Sequence, residues 1–366
     1  MSRTNHASQI AALRRGLLRW YDRSARDLPW RRLPDDPYAQ WLAEMMLQQT
    51  QTATVAPYFE KFLERFPSVS DLASADRQSV LELWAGLGYY RRAHLLHDAA
   101  RIVANDLGGR FPDTVEGLRT LPGVGRYTAG AIASVAFDRR APILDGNVKR
   151  VLARVFAVRE APDEPRTLDR LWHLAEEILP QRRCGDFNQA LMDLGATVCT
   201  PKRPACGDCP VKGHCAALQL GKVDVIPAPR RRAAQRKVDM RAFIVTSPRR
   251  ILLVQRSAEG LWPGMTAFPS AETNGKTAFD AMQLLLPLPV LCRLTKFRPL
   301  GAVNHQLTHR QLRFEVFQSS APAVRIRPPF LWTPLDDIPP LPNAFRKIFN
   351  LYRQRAEDLT RLDAKN

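Results

Sequence analysis

The spacing of apolar residues changes once along this chain, and that change limits the architectures open to it. Up to about residue 220 apolar positions recur at helical intervals, whereas beyond about residue 239 short segments alternate as half-buried strands do. The stretch between them holds Pro227 and Pro229, the run Arg230-Arg231-Arg232, and then Arg236 and Lys237, a composition suited to a linker. With 366 residues the chain is too long for one ordinary core. The expectation is a mainly α region over 1–225, a basic linker over 226–238 and an α+β domain over 239–366.

Local signals fill in this outline. Asp36 followed by Pro37 is a good N-cap and first-turn pair, and it opens a long helix. Helical pattern continues over 59–66 and stops at Pro67. Two later segments share a design: 81–84 runs into Gly86-Leu87-Gly88 before a helix from about Arg91, and 115–121 runs into Gly123-Val124-Gly125 before a helix to about Phe137. Residues 145–156 and 167–178 predict two more helices. Past the linker, 241–246 and 250–255 flank Ser247-Pro248-Arg249 as a hairpin would. Residues 311–318 set Leu312, Phe314 and Val316 on one face and Arg313, Glu315 and Phe317 on the other, and 345–352 predicts a closing helix.

Lys and Arg number 54 against 36 Asp and Glu, a formal charge of +18. Such a balance favours a polyanionic partner, nucleic acid ahead of an acidic membrane, although a basic soluble protein needs no such partner. No stretch approaches the roughly 20 apolar residues of a membrane span. Residues 1–9 are polar, unlike a secretory signal, so a cytoplasmic protein is expected.

Two features suggest chemistry. Glu44 is the only charged residue between Asp36 and Glu60, and Trp41, Leu42, Met45, Met46 and Leu47 surround it in sequence. A carboxyl placed there is desolvated, keeps its proton near neutral pH and can serve as a general acid; the competing reading is a buried Glu paired with Arg26 or Arg31. The polar run Gln48-Gln49-Thr50-Gln51-Thr52 follows, suited either to base edges or to an exposed helix face. Further on, Leu121-Pro122-Gly123-Val124-Gly125 joins two helices by a tight glycine turn, and the N–H groups that open the second helix form a ready anion site. Small residues at Ala129, Gly130, Ala133 and Ser134 then allow close helix packing.

The run LPGVGRYTAGAI from Leu121 to Ile132, the Asp145-Gly146-Asn147 that follows and a downstream four-cysteine loop resemble the endonuclease III and MutY superfamily of helix-hairpin-helix DNA glycosylases. The resemblance to the MutY family of adenine DNA glycosylases covers nearly the whole chain, most strongly over 20–220. It implies a monomeric base-excision-repair enzyme that removes adenine opposite 8-oxoguanine or guanine in double-stranded DNA. Bifunctional members carry a Lys nucleophile where this chain has Tyr127, so the resemblance implies hydrolysis without strong lyase activity. An endonuclease III-like enzyme for oxidised pyrimidines is the alternative, disfavoured by Tyr127 and by the added domain. A non-catalytic, redox-sensing DNA binder is a further alternative, disfavoured by the two carboxylates.

Asp145 reads locally as an N-cap. The resemblance also makes it the carboxylate that steadies the sugar cation, with Asn147 in support and Glu44 as the acid to adenine, a logic parallel to two-carboxylate glycosidases. Cys199, Cys206, Cys209 and Cys215 are spaced C-x6-C-x2-C-x5-C, with one CxxC knuckle rather than the two usual for zinc, and this is the spacing of the superfamily's [4Fe–4S] loop. Cys184 and Cys292 fall outside the pattern and read as ordinary buried thiols. The resemblance further implies DNA contact by Gly123, Val124 and Gly125, with Gln49 and Tyr89 as wedges beside the flipped base. It also implies an adenine pocket from Arg26, Leu28, Trp30, Arg31 and Gln189. In the second domain, Gly260-Leu261-Trp262 and Phe268-Pro269-Ser270 match landmarks of the family's Nudix-like module, and Thr308 and His309 stand in its opposite-base loop. No Nudix run of Arg-Glu and paired Glu follows Phe268, which argues against pyrophosphate hydrolysis.

Overall fold

A computed structural model describes residues 3–229 and 235–363 except 258, 274, 276 and 308; side chains are described from Ala7 to Glu357. The chain forms two compact units, Met1–Asp76 with His94–Arg231, and Arg77–Ala93 with Arg232–Asn366.

The first unit is helical. Asp36 caps the Pro37–Leu47 helix by accepting from Tyr38 N at 2.9 Å and Ala39 N at 3.1 Å. Nine consecutive residues of this helix, Tyr38 to Met46, are buried, so it is a core helix with no solvent face. It packs against the Arg126–Ala136 helix, whose buried stretch is rich in small residues, and Gly130 there lets the chain at Pro142 and Ile143 approach closely. The helices expected over 145–156 and 167–178 are Gly146–Val155 and Pro165–Ile178. Together with the Cys184–Asp193 helix they enclose a core that includes Leu17, Ile143, Leu152, Phe187 and Leu194. Past Asp193 the backbone widens into a π-helical turn, Leu194–Val198, that delivers Cys199.

The stretch 48–51 is not an exposed helix face, although Gln49 and Gln51 are exposed. It breaks the helix before Thr52–Arg65, with Gln49 in the left-handed region at φ 59°. Gln48 turns inward and donates from Nε2 to the Gly123 carbonyl at 3.0 Å.

In the second unit, β1 (Arg236–Ser247), β2 (Arg250–Gln255), β3 (Thr266–Ala267), β4 (Ser270–Glu272), β5 (Arg298–Gln306), β6 (Arg310–Ser320) and β7 (Phe330–Pro334) form one mixed sheet, seven-stranded among the described residues, with the path β3-β2-β1-β6-β5. The expected hairpin is present, Ser247 lying opposite Arg250. Leu312, Phe314 and Val316 are buried, as their alternation on β6 requires. β1 starts at Arg236, inside the stretch read as linker, because it pairs in parallel with β6 from Arg236–Arg310 onward, a partner too distant for local composition to reveal. The closing helix runs from Asn343 to Asp363 and buries Phe345 and Ile348. Cys292, expected to be buried, is exposed, because it falls at the solvent-facing end of the short Leu288–Leu291 helix. Cys184 is buried. Among the described residues no helix is long and apolar enough to cross a membrane.

Candidate active site and iron–sulfur loop

Glu44 sits near the end of the core helix and is 8% exposed. Its Oε2 has no hydrogen-bond partner among the described residues. Burial pushes its carboxyl up to about 7; the nearby Asp145 charge adds to this, while the Tyr127 hydroxyl and the Arg31 cation oppose it. Tyr127, in the first turn of the Arg126–Ala136 helix, is within hydrogen-bonding reach of Glu44, and its hydroxyl also lies 3.3 Å from Sδ of Met192. Burial and the two carboxylates hold its pKa well above the usual phenol value.

Asp145 caps the Gly146–Val155 helix. Its Oδ1 accepts from Val148 N at 2.7 Å and its Oδ2 from the Asn147 amide at 3.0 Å. Burial raises its pKa, opposed by those two donors, which favour the charged form. Asp145 is therefore a cap, as read locally, and it also lies close enough to Glu44 for its charge to be felt there. Glu44, Tyr127, Asp145 and Asn147, scattered over a hundred positions of sequence, converge on one spot.

The alternative in which Glu44 pairs with Arg26 or Arg31 is not what the fold adopts. Both guanidiniums bind Asp193, Arg26 through Nε at 2.6 Å and Arg31 through both terminal nitrogens at 2.8 Å. Of the other expected pocket residues, Leu28 caps the short Pro29–Arg32 turn, Trp30 is buried with its ring edge-on to Phe59 at 5.6 Å, and Gln189 lies one helical turn before Asp193. The sequence reading missed Gln40, whose amide donates to the carbonyls of Trp30 at 2.7 Å and Leu33 at 2.9 Å and so fixes that turn. A polar residue inside an apolar helix was its one available signal.

The hairpin turn has Gly123 at φ 81°, with so little room that a Cβ would stand 2.7 Å from Cε of Met45. Gly125 caps the helix behind it, no acidic residue occupies the first turn, and the Arg126 guanidinium lies 3.8 Å over the Trp172 ring. Tyr89 is 48% exposed, with φ 49°, and Tyr90 is buried as core.

The four loop cysteines line one cavity together with Arg154 and Val151. Among the described residues no three His, Cys, Asp or Glu side chains converge as a single ion requires. Four thiols around one cavity, with a single CxxC knuckle, match the donor set of a polynuclear iron–sulfur cluster. Burial raises the thiol pKa values of Cys206, Cys209 (to about 11) and Cys215, with neighbouring thiols adding to it. Buried Arg154, 3.3 Å from Sγ of Cys199, supplies positive charge for thiolates. Arg150, also missed from sequence, donates to the carbonyls of Cys199 and Gly195 at 2.7 Å and to Oδ1 of Asn147 at 2.8 Å, joining the loop to the Asp145 turn. Gly195 packs so closely there that a Cβ would meet Cβ of Asn147 at 2.6 Å.

In the second unit, Arg256 bonds the Leu261 carbonyl at 2.8 Å and Oγ of Ser270 at 3.3 Å, linking the two sequence landmarks. The His309 carbonyl accepts from Arg236 N at 3.1 Å at the mouth of the 306–310 loop; Thr308 lies outside the described residues.

A glycine hairpin ahead of a helix, a buried acid beside a capping aspartate and a four-thiol loop define a helix-hairpin-helix DNA glycosylase with an iron–sulfur centre. Residues 42–177 match the HhH-GPD superfamily of base excision DNA repair proteins, 199–215 the iron–sulfur binding domain of endonuclease III, and 241–351 a NUDIX domain. The chain is 37% identical over 412 residues to the adenine DNA glycosylase of Homo sapiens, across 94% of this chain and 75% of that protein. To the adenine DNA glycosylase of Buchnera aphidicola subsp. Schizaphis graminum it is 36% identical over 264 residues, across 71% of this chain and 75% of that one. A thermostable thymine-DNA glycosylase structure superposes over 60% of this chain and all of its own, with a TM-score of 0.54 and 31% identity. A trapped endonuclease III–DNA intermediate, with a TM-score of 0.50 and 20% identity over 60% of this chain, shares the fold. The chain belongs to the adenine DNA glycosylase family. It is a base-excision-repair enzyme that removes adenine from DNA and carries a [4Fe–4S] cluster.

Proposed function

We propose that this glycosylase acts as a monomer in the cytoplasm on adenine opposite 8-oxoguanine or guanine in double-stranded DNA. It hydrolyses the bond between deoxyribose C1′ and adenine N9 and does not cut the strand. One observation carries this reading: a buried carboxyl near pKa 7 with an unpartnered oxygen stands beside Asp145, while the nearest arginines are committed elsewhere.

As the C1′–N9 bond breaks, its electron pair leaves with adenine, and Glu44 delivers its proton to N7 so that the base departs neutral. Asp145, held by Val148 N–H and Asn147, faces the positive charge that grows on the sugar. Water then attacks C1′ and returns a proton to Glu44. Tyr127 holds the sugar and water and offers no amine for a Schiff base. Arg26, Leu28, Trp30, Arg31 and Gln189 form the adenine pocket. Backbone N–H groups behind Gly123, Val124 and Gly125 take a phosphate, Gln49 and Tyr89 prop the opened stack, and Thr308 and His309 read the opposite base. Cys199, Cys206, Cys209 and Cys215 hold the cluster, which supplies a covalent anchor for the loop.

Purified holoenzyme is incubated with duplexes holding adenine opposite 8-oxoguanine, adenine opposite guanine, or thymine glycol, with and without alkali. Free adenine from the first two, with strand breaks only after alkali, is expected. Release from thymine glycol alone favours the endonuclease III-like reading, and breaks without alkali contradict the hydrolytic one. Cys209→Ser should abolish the cluster's visible absorbance and Cys292→Ser should leave it intact.

A further inference from the structure

We infer that Asp193 is a positioning residue for the reaction: it fixes Arg26 and Arg31 at the pocket and cancels the positive field of Arg31 at Glu44. The inference rests on the reading of Glu44 as the proton donor and adds what keeps the donor protonated.

The geometry is that of a built charge relay with no slack. Asp193 ends the Cys184–Asp193 helix and is 0% exposed. Its Oδ1 accepts from Arg26 Nε at 2.6 Å and from Arg31 at 2.8 Å; its Oδ2 accepts from Arg31 at 2.8 Å and from the Arg26 backbone N–H at 3.1 Å. Arg31 also donates to the Arg26 carbonyl at 3.1 Å, and its guanidinium lies 5.5 Å from the centre of the Tyr21 ring. The groups whose charge reaches Asp193 are thus Arg26 and Arg31, with the Tyr21 phenol beside them. Those facing Glu44 are Tyr127, Asp145 and Arg31, and Arg31 is the one cation among them.

Arg31 is therefore bonded to one carboxyl, Asp193, while its charge reaches the other, Glu44. A lone cation that close would favour ionised Glu44 and remove the proton it is to deliver. Bidentate pairing with Asp193 turns the cation into half of a dipole whose field at Glu44 is largely cancelled. Asp193 itself stays charged: the two arginines and the Arg26 N–H outweigh its burial and lower its pKa.

The test follows adenine release under single-turnover conditions from about pH 5 to about pH 9, with holoenzyme on an adenine:8-oxoguanine duplex. Four proteins are compared: wild type, Asp193→Asn, Arg31→Met and the double variant. The wild-type rate should fall as pH rises through about 7. In Asp193→Asn the ratio of the rate at pH 8 to that at pH 6 should drop a further ~5-fold for each tenfold fall in the Glu44 proton affinity near neutrality, because the uncancelled Arg31 favours its charged form. Arg31→Met should move the alkaline fall to higher pH, and the double variant should return it to near the wild-type position. An Asp193→Asn protein that is slower or binds less tightly at an unchanged pH midpoint overturns the inference. If Asp193→Asn fails to fold, an unmoved midpoint in Arg31→Met overturns it instead. Failure of the underlying reading is distinguishable, since Glu44→Gln would then release adenine at the wild-type rate.

Discussion

Two buried carboxyls, Asp193 and Glu44, both feel the charge of Arg31 and are treated in opposite ways. Asp193 receives four hydrogen bonds, three of them from guanidiniums, and its pKa is lowered. Glu44, in a helix buried on all sides, has one oxygen without a partner, and its pKa is raised to about 7. The fold satisfies the first as a structural anion and leaves the second desolvated, with one oxygen open to a hydrogen-bond partner. Buried polar groups are almost always hydrogen-bonded, so the unpaired Glu44 oxygen, next to Asp145 and Tyr127, can take a partner that enters the site. The contrast also explains how Arg31 can lie near Glu44 without holding its carboxyl in the charged form.

The comparison breaks most visibly at Glu44. Glu44→Gln keeps the shape and removes the proton; adenine release should fall by about 10³-fold while duplex affinity stays within about threefold. Stopped-time base release and a binding titration measure the two, and full activity in the variant contradicts the contrast. At Asp193, removal of the carboxylate leaves two cations facing a void. Asp193→Ala should lower unfolding free energy by about 3–5 kcal/mol, read by denaturant titration.

A smaller effect follows from linkage. The folded pKa of Glu44 is raised from 4.5 to about 7, so the native state binds more protons than the unfolded chain between those values. Wild-type stability is therefore full below the unfolded pKa and declines as pH rises to the folded one, by about 3 kcal/mol at most. Glu44→Gln should be more stable than wild type at pH 8 by up to that amount and equal to it near pH 4; a constant difference at both would contradict the burial argument. Smallest is the packing that holds the Asp145 turn. Gly195→Ala drives a Cβ into Asn147 and should cost about 1–3 kcal/mol, whereas Gly207→Ala, with open space, should cost little.

What was legible in the sequence was what the sequence keeps local. Glu44 stood out because its neighbours are all apolar, the hairpin because both its glycines and its helix lie within a dozen residues, and the cysteine loop because its spacing is contiguous. Asp145 was legible as a cap, and only the fold brings it beside Glu44. Asp193 was not legible: its partners Arg26 and Arg31 lie more than 160 positions away. The same limit hid the parallel pairing of β1 with β6, which draws Arg236 and Lys237 out of a basic run and into a sheet. Cys292 was misjudged because thiols are buried on average, and its place at a helix end decides otherwise.

The most direct measurement titrates the Glu44 carboxyl itself, as the difference in carbonyl-stretch infrared absorption between wild type and Glu44→Gln across pH in the DNA-free holoenzyme. A protonated band that disappears with a midpoint near 7 is the expected result. A midpoint at the ordinary value of 4.5 would leave no acid for the base and would contradict the account.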